Sequence, residues 1–201
     1  MSERAALMNF TDYHRTVVGY HGTRLSAALD VVNGRADLAP SENDDDWLGH
    51  GVYFWEYGPR QALRWAKQRR KSQGWDEPIA IVASMVRLGF CFDLLDPANV
   101  DYLAAVHDLY LAEQKAAGGP VPKNVLSSKR LDCAVFEYAF ALIEADEGSP
   151  TADSARAVYV PTGTAKRVWK QSWISHEAHI QLCVRNPDCI LGTWLHFAEE
   201  G

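Results

Sequence analysis

No stretch of this sequence approaches the ~18 consecutive apolar residues of a membrane-spanning helix. The opening segment, Met1 to Tyr13, has Arg4 but no apolar core long enough for a secretory leader. The expectation is therefore a cytoplasmic protein without a membrane partner. Cysteine is sparse, and Cys91, Cys133, Cys183 and Cys189 lack the paired spacing of metal ligands, so buried, reduced thiols are expected. Internal repeats, low-complexity blocks and long linkers are missing. So are the glycine-rich phosphate loop, the Gly-x-Gly-x-x-Gly dinucleotide fingerprint and the Gly-x-Ser-x-Gly elbow. His176-Glu177-Ala178-His179 is one residue short of the zinc-protease pattern. Asp44-Asp45-Asp46 has neither the alternation nor the closing glutamate of a calcium loop. Positive charge is in deficit, with 20 Lys and Arg against 26 Asp and Glu, a net charge of −6, which argues against a surface coated by nucleic acid. Two local basic clusters remain, Arg60 to Lys71 and Lys166 to Lys170. The first reads as a solvated helix face before it reads as a polyanion-binding strip.

What is present fits one domain, residues 1–201, long enough to bury about 70% of its unfolded surface. Val17 to Tyr20 reads as a first strand. Leu25 to Asn33 has helical spacing and stops at Gly34. A polar loop, Asp37 to Trp47, precedes a strand over Val52 to Trp55, and Pro59 opens a helix reaching about Lys71. Ile79 to Leu88 and Cys91 to Leu94 alternate as strands. Helices are expected over Pro97 to Ala117 and Asp132 to Glu147. Strands follow over Ala155 to Val160, Ala178 to Val184 and Cys189 to Leu195, the last two joined by the turn Arg185-Asn186-Pro187-Asp188. Strands at both ends with helices between them indicate α+β.

Two short stretches stand out, Tyr20-His21-Gly22-Thr23 and Trp47-Leu48-Gly49-His50-Gly51-Val52-Tyr53-Phe54-Trp55. Each sets a polar ring beside a glycine inside an apolar, strand-like run. Glycine weakens a strand, so its presence suggests close approach of something flat to the backbone. The pair resembles the first two signatures of the diphtheria-toxin and poly(ADP-ribose)-polymerase type of NAD-dependent ADP-ribosyltransferases, over residues 17 to 66. That resemblance implies a split, strongly bent β-sandwich with inserted helices, and NAD as substrate. It implies that His21 hydrogen-bonds an adenosine-side ribose hydroxyl. Gly22 would offer backbone groups to the carboxamide, with the Thr23 hydroxyl assisting, and Tyr53 would stack on nicotinamide while Gly51 gives the ligand room. Trp47, Trp55 and Trp65 flank this region and read as core anchors, although Trp47 sits at a loop end where it can cover a substrate.

The family's third signature is a glutamate on the nicotinamide-ribose hydroxyls. In Ala178 to Val184, Ile180, Leu182 and Val184 form one face, so Glu177, His179 and Gln181 form the other. Fitting the following turn and strand to the family puts Gln181 at the glutamate's place, a departure that favours one ADP-ribosyl transfer over chain elongation. Glu177 is the alternative, about 13 Å away along an extended strand. Glu56 ranks behind both, since a carboxylate at a strand end is usually solvated. The implied activity is mono-ADP-ribosyl transfer to a protein or nucleic-acid acceptor. The rival readings are an inactive NAD-binding or ADP-ribose-binding module and an NAD hydrolase. Small transferases of this kind are often bacterial toxins or defence effectors, which implies a neutralising antitoxin as partner.

Overall fold

Proline and glycine set the helix ends. Pro59 opens the helix α2 (Pro59–Gln73) and Gly74 closes it with a left-handed φ of 64°. Asp96 caps α3 (Pro97–Ala117), its carboxylate accepting the Ala98 N–H at 2.9 Å, and Gly118 ends it in the same left-handed conformation. The helices α1 (Leu25–Val32) and α4 (Arg130–Ala145) complete the set in the computed structural model, which describes residues 11–125, 128–146, 151–160 and 166–200. Most of the N-terminal stretch, and Glu147 at the expected end of the fourth helix, lie outside those residues. No described helix is long and apolar enough to cross a membrane.

Among the described residues eight strands accompany the helices: β1 (Thr11–Arg24), β2 (Val52–Glu56), β3 (Ile79–Asp93), β4 (Asn124–Val125), β5 (Ser128–Lys129), β6 (Ser154–Tyr159), β7 (His179–Val184) and β8 (Ile190–Ala198). The architecture is α+β, as expected. Six of the strands form one sheet in the order β1-β2-β7-β6-β3-β8, and a further β1–β3 pairing closes β1, β2, β7, β6 and β3 into a circuit. Within it, β3–β6 is parallel and the other pairings are antiparallel. Only β8 stands outside, paired to β3.

Two expected strands prove to be one. The sequence suggests a break between Leu88 and Cys91, but β3 runs through it, bent at Gly89 with a φ of 59°. The Asp153 carboxylate accepts the Phe90 N–H there at 3.0 Å, and the Asp153 N–H returns to the Phe90 carbonyl at 2.9 Å. Past the bend, β3 exchanges β8 for β6 as a neighbour. β1 also exceeds its expected span, because pairing with β3 from Thr11–Cys91 to Arg24–Ile79 outweighs the low strand propensity of Gly19 and Gly22.

The core is divided. Val17, Val52, Phe54, Val86, Leu88, Leu182 and Val184 pack together between the strands of the circuit. Phe136, Phe140 and Ile143 of α4 cover a second cluster with Leu48, Phe92 and Ala155. Ala62 and Ala66 of α2 lie on Ile79, Ile81 and Trp55. All four cysteines are buried and unpaired, and burial lifts the Cys91 thiol to about 12 and the Cys133 thiol to about 11.

Candidate active site

A cleft of about 960 Å³ opens where β1 and β2 part. Their registered pairs are Gly19–Glu56 and Tyr20–Trp55, and beyond these the His21 side chain takes over. Its Nδ1 lies 2.8 Å from the Tyr53 carbonyl. A carbonyl only accepts, so Nδ1 carries the proton and Nε2 presents a lone pair. Burial lowers the His21 pKa, with the Tyr53 carbonyl opposing part of the shift. The ring is therefore neutral at pH 7, suited to accept a hydrogen bond from a hydroxyl.

Tyr53 is fixed from both ends. Its hydroxyl donates to the Gly49 carbonyl at 2.7 Å and accepts the Leu48 N–H at 3.0 Å. Burial pushes its pKa far above the usual phenol range, so it stays neutral. The phenol thus staples the loop before β2 while its ring lines the cleft. From β7, Gln181 pairs in register with Trp55 and also lines the cleft. The Trp47 indole N–H donates to Gln181 Oε1. An indole N–H is only a donor, which fixes the amide orientation and leaves the Nε2 donors and one Oε1 lone pair for a ligand. Trp47 thus takes up part of the acceptor capacity of Gln181.

His21, Gly22, Thr23, Tyr53 and Gln181 all line this cleft, whereas Gly51 and Glu177 are not among its lining residues. Packing alone requires glycine at both positions. A Cβ on Gly22 would sit inside van der Waals contact of the Ala62 carbonyl and 2.9 Å from Ala66 Cβ, so the glycine lets α2 dock on β1. At Gly51 a Cβ would meet the Val184 carbonyl at 2.5 Å and Cys183 Sγ at 2.7 Å, so the room it gives belongs to β7. Gly22→Ala is expected to cost about 1–3 kcal/mol by overpacking. In a chain of this size that lowers the melting temperature by about 2–4 °C per kcal/mol, readable by calorimetry.

Glu56 is not solvated. It is buried in a two-point ion pair with Arg156, Nε–Oε2 at 2.5 Å and Nη2–Oε1 at 2.9 Å, and is not available to a ribose. Glu177 lies before β7, where its carbonyl accepts from His179 Nδ1 at 2.6 Å. His179 in turn stacks on Tyr159, with ring centroids 4.9 Å apart at 20°. Trp55 and Trp65 pack in the core cluster under α2 as expected, and both also line the cleft. Trp47, held to Gln181 and edge-on to Tyr159 at 5.9 Å, packs against the α4 cluster and forms part of the cleft wall.

Arg24 and Arg69 were missed as site residues. Arg69 lies over the Trp65 ring at 5.1 Å, and its buried Nε has no hydrogen-bond partner among the described residues. With Gln68, Ser72 and Gln73 it forms the α2 wall of the cleft. That i, i+1, i+4, i+5 spacing was visible in the sequence but hidden in a run read as uniformly solvated. The acidic run reaches the cleft through Asp45 and Asp46. Burial raises the Asp46 pKa, opposed by hydrogen bonds from Ser41 and Asn43.

Burial also lowers the His179 pKa, and with His21 this has a consequence for stability. Above about pH 6.5 both rings are neutral in the folded and unfolded chain. As the pH falls below that, the unfolded chain takes up protons first, so stability is lost. The urea midpoint is expected to fall between pH 7.5 and 5.5, and to fall less in His21→Gln/His179→Gln.

No protein-family model matches the chain, and no solved structure does. It is similar to uncharacterized protein MJ0359 of Methanocaldococcus jannaschii, 26% identical over 192 residues that cover 85% of this chain and 83% of that protein.

Proposed function

We propose that the protein is a mono-ADP-ribosyltransferase of the diphtheria-toxin and poly(ADP-ribose)-polymerase type, built on that family's split β-sandwich and using NAD as substrate. The observation that carries the reading is the convergence of His21, Tyr53 and Gln181, from three strands, on one cleft. Its volume falls within the range of small-molecule sites, about 300–1,000 Å³. The Tyr53 ring faces a cationic pyridinium, an attraction of about 1–2 kcal/mol once desolvated. Neutral His21 accepts from a ribose hydroxyl through Nε2. Arg24 and Arg69, which line the cleft, supply positive charge for the diphosphate.

In the reaction a nucleophile Nu–H on the acceptor attacks C1′ of the nicotinamide ribose. The C1′–N bond breaks and its electron pair neutralises the pyridinium nitrogen. Nicotinamide leaves, the proton of Nu–H passes to solvent, and ADP-ribose stays on the acceptor. The leaving group needs no general acid, so orientation and electrostatics carry the rate. A second reading, an NAD-binding module without turnover, is favoured by one observation: Gln181 is uncharged and already engaged by Trp47.

Nicotinamide release from NAD by the wild type, Tyr53→Phe and Tyr53→Ala separates the readings. Phe keeps the ring and is expected within about tenfold of wild type, while Ala loses at least about 10²-fold. NAD binding without nicotinamide release selects the binding module. Free ADP-ribose with no labelled macromolecule selects an NAD hydrolase.

A further inference from the structure

Residues 166–176 form a finger closed on itself. The Val168 N–H bonds the Ile174 carbonyl and the His176 N–H bonds the Lys166 carbonyl, both at 3.1 Å. Arg167 Nη1 donates to the Trp173 carbonyl at 3.1 Å, and the Ser172 hydroxyl accepts the Ile174 N–H at 3.0 Å. This finger holds two tryptophans out in water, Trp173 at 95% and Trp169 at 64% exposure. Tryptophan ordinarily buries most of its surface, so a hydrogen-bonded segment that displays two of them is suited to meet a flat partner. The residues between them are basic or polar. Lys166, Arg167 and Lys170 are exposed, and residues 166–176 contain no acid.

The positive charge does not stop at the finger. The His176 carbonyl accepts from Arg64 Nη2 at 3.4 Å and from Gln61 Nε2 at 3.5 Å, tying the finger to α2. Along α2, Arg60, Arg64, Lys67 and Lys71 recur at i, i+4, i+7 and i+11, one exposed stripe in a stretch, 58–75, that has no acid. The neighbouring face of the same helix carries Gln68, Arg69 and Ser72 into the cleft. Gln181 lies five residues past His176, about 16 Å of extended chain. In a chain of net charge −6, this concentration of seven cations around two displayed indoles is a local feature with a local purpose.

We infer that the finger and the α2 stripe bind a single strand of nucleic acid, with Trp169 and Trp173 stacking on bases and the cations on phosphates, and that they present it to the cleft as the acceptor. Stacking platforms interleaved with cations are the means by which single strands are held without sequence readout. A duplex hides its base faces and fits the two indoles poorly. The acceptor role rests on the transferase reading above; the binding surface does not.

The test is fluorescence anisotropy with labelled 12-nucleotide single strands of DNA and of RNA, a duplex of the same sequence, and vesicles with and without phosphatidylserine. Single strands are expected to bind in preference to duplex and vesicles. Trp169→Ala and Trp173→Ala are each expected to weaken that binding about tenfold. Lys166→Ala/Lys170→Ala is expected to reduce the log–log salt slope by about 1.4, at about 0.7 per phosphate contact. Nicotinamide release without acceptor is expected to be unchanged in all three variants, and transfer of labelled ADP-ribose to the strand to fall with binding. DNA against RNA in the transfer assay identifies the acceptor. Absent single-strand binding, binding indifferent to both tryptophans, or preference for anionic vesicles overturns the surface. Nicotinamide release with strand binding but no label on the strand overturns its acceptor role. Strand binding with no nicotinamide release in any protein overturns the transferase reading and the acceptor role with it, and leaves the surface standing.

Discussion

Gln181→Glu is expected to accelerate nicotinamide release about 10²-fold, with little change in KM. NAD enters with a positive charge on the nicotinamide ring, and in the transition state that charge moves to the ribose as an oxocarbenium. A carboxylate beside the ribose distinguishes the two states, because the total charge is the same in each but its position is not. Only such differential contact raises kcat. One preorganised electrostatic contact is worth about 10²–10³ in rate, or about 2.7–4 kcal/mol. The substitution is nearly isosteric, and a carboxylate accepts the Trp47 indole N–H as the amide does. Gln181→Ala removes the contact and leaves Trp47 unpaired, so its rate is expected below wild type. Steady-state assays of nicotinamide release check both. A glutamate variant no faster than wild type would mean that residue 181 does not lie beside the ribose.

The largest stability effect is expected at Arg156, which is 3% exposed between two carboxylates. Besides Glu56, its Nη1 meets Asp93 Oδ2 at 2.9 Å. Burial opposes the charge on the guanidinium, yet the Glu56 hydrogen bonds and the Asp93 charge more than offset it and hold the proton firmly. The three residues sit at the end of β2, the end of β3 and within β6, so the triad pins the circuit of strands next to the cleft. Arg156→Met strands two buried carboxylates and is expected to cost about 3–5 kcal/mol in urea denaturation. Neutralising the whole triad as Arg156→Met/Glu56→Gln/Asp93→Asn is expected to recover most of that. The new amide at position 93 keeps an oxygen for the Leu95 N–H, which Asp93 Oδ1 now accepts at 2.9 Å. Failure of the triple substitution to recover stability would locate the role of Arg156 in packing instead of charge.

Local chemistry made much of the fold legible. The helix over Pro97–Ala117 was legible because proline at its start and Gly118 past its end are strong local signals. The strands were harder. Gly89-Phe90 reads as a stop, and only the Asp153 carboxylate, sixty-three residues downstream, makes it a bend. On β7, alternation predicts one buried face, yet Leu182, Cys183 and Val184 are all buried, because the α4 cluster covers the second face too. The closing β1–β3 pairing had no local signal at all.

For the site, residue types and order pointed to His21, Thr23, Tyr53 and Gln181, which the fold gathers in one cleft. They did not tell why the glycines were there. Gly22 and Gly51 accommodate a helix and a strand, contacts fixed by distant residues that no local reading contains. Glu56 escaped for the same reason. Its partner Arg156 is a hundred positions away in a segment that reads only as a strand.

A crystal structure of Gln181→Ala, in which slow turnover preserves the ligand, grown with NAD tests the central claim most directly. The account predicts nicotinamide on the Tyr53 ring, a ribose hydroxyl donating to His21 Nε2, and the diphosphate toward Arg24 and Arg69. Density for NAD elsewhere on the protein, with this cleft filled by water alone at saturating ligand, would contradict it.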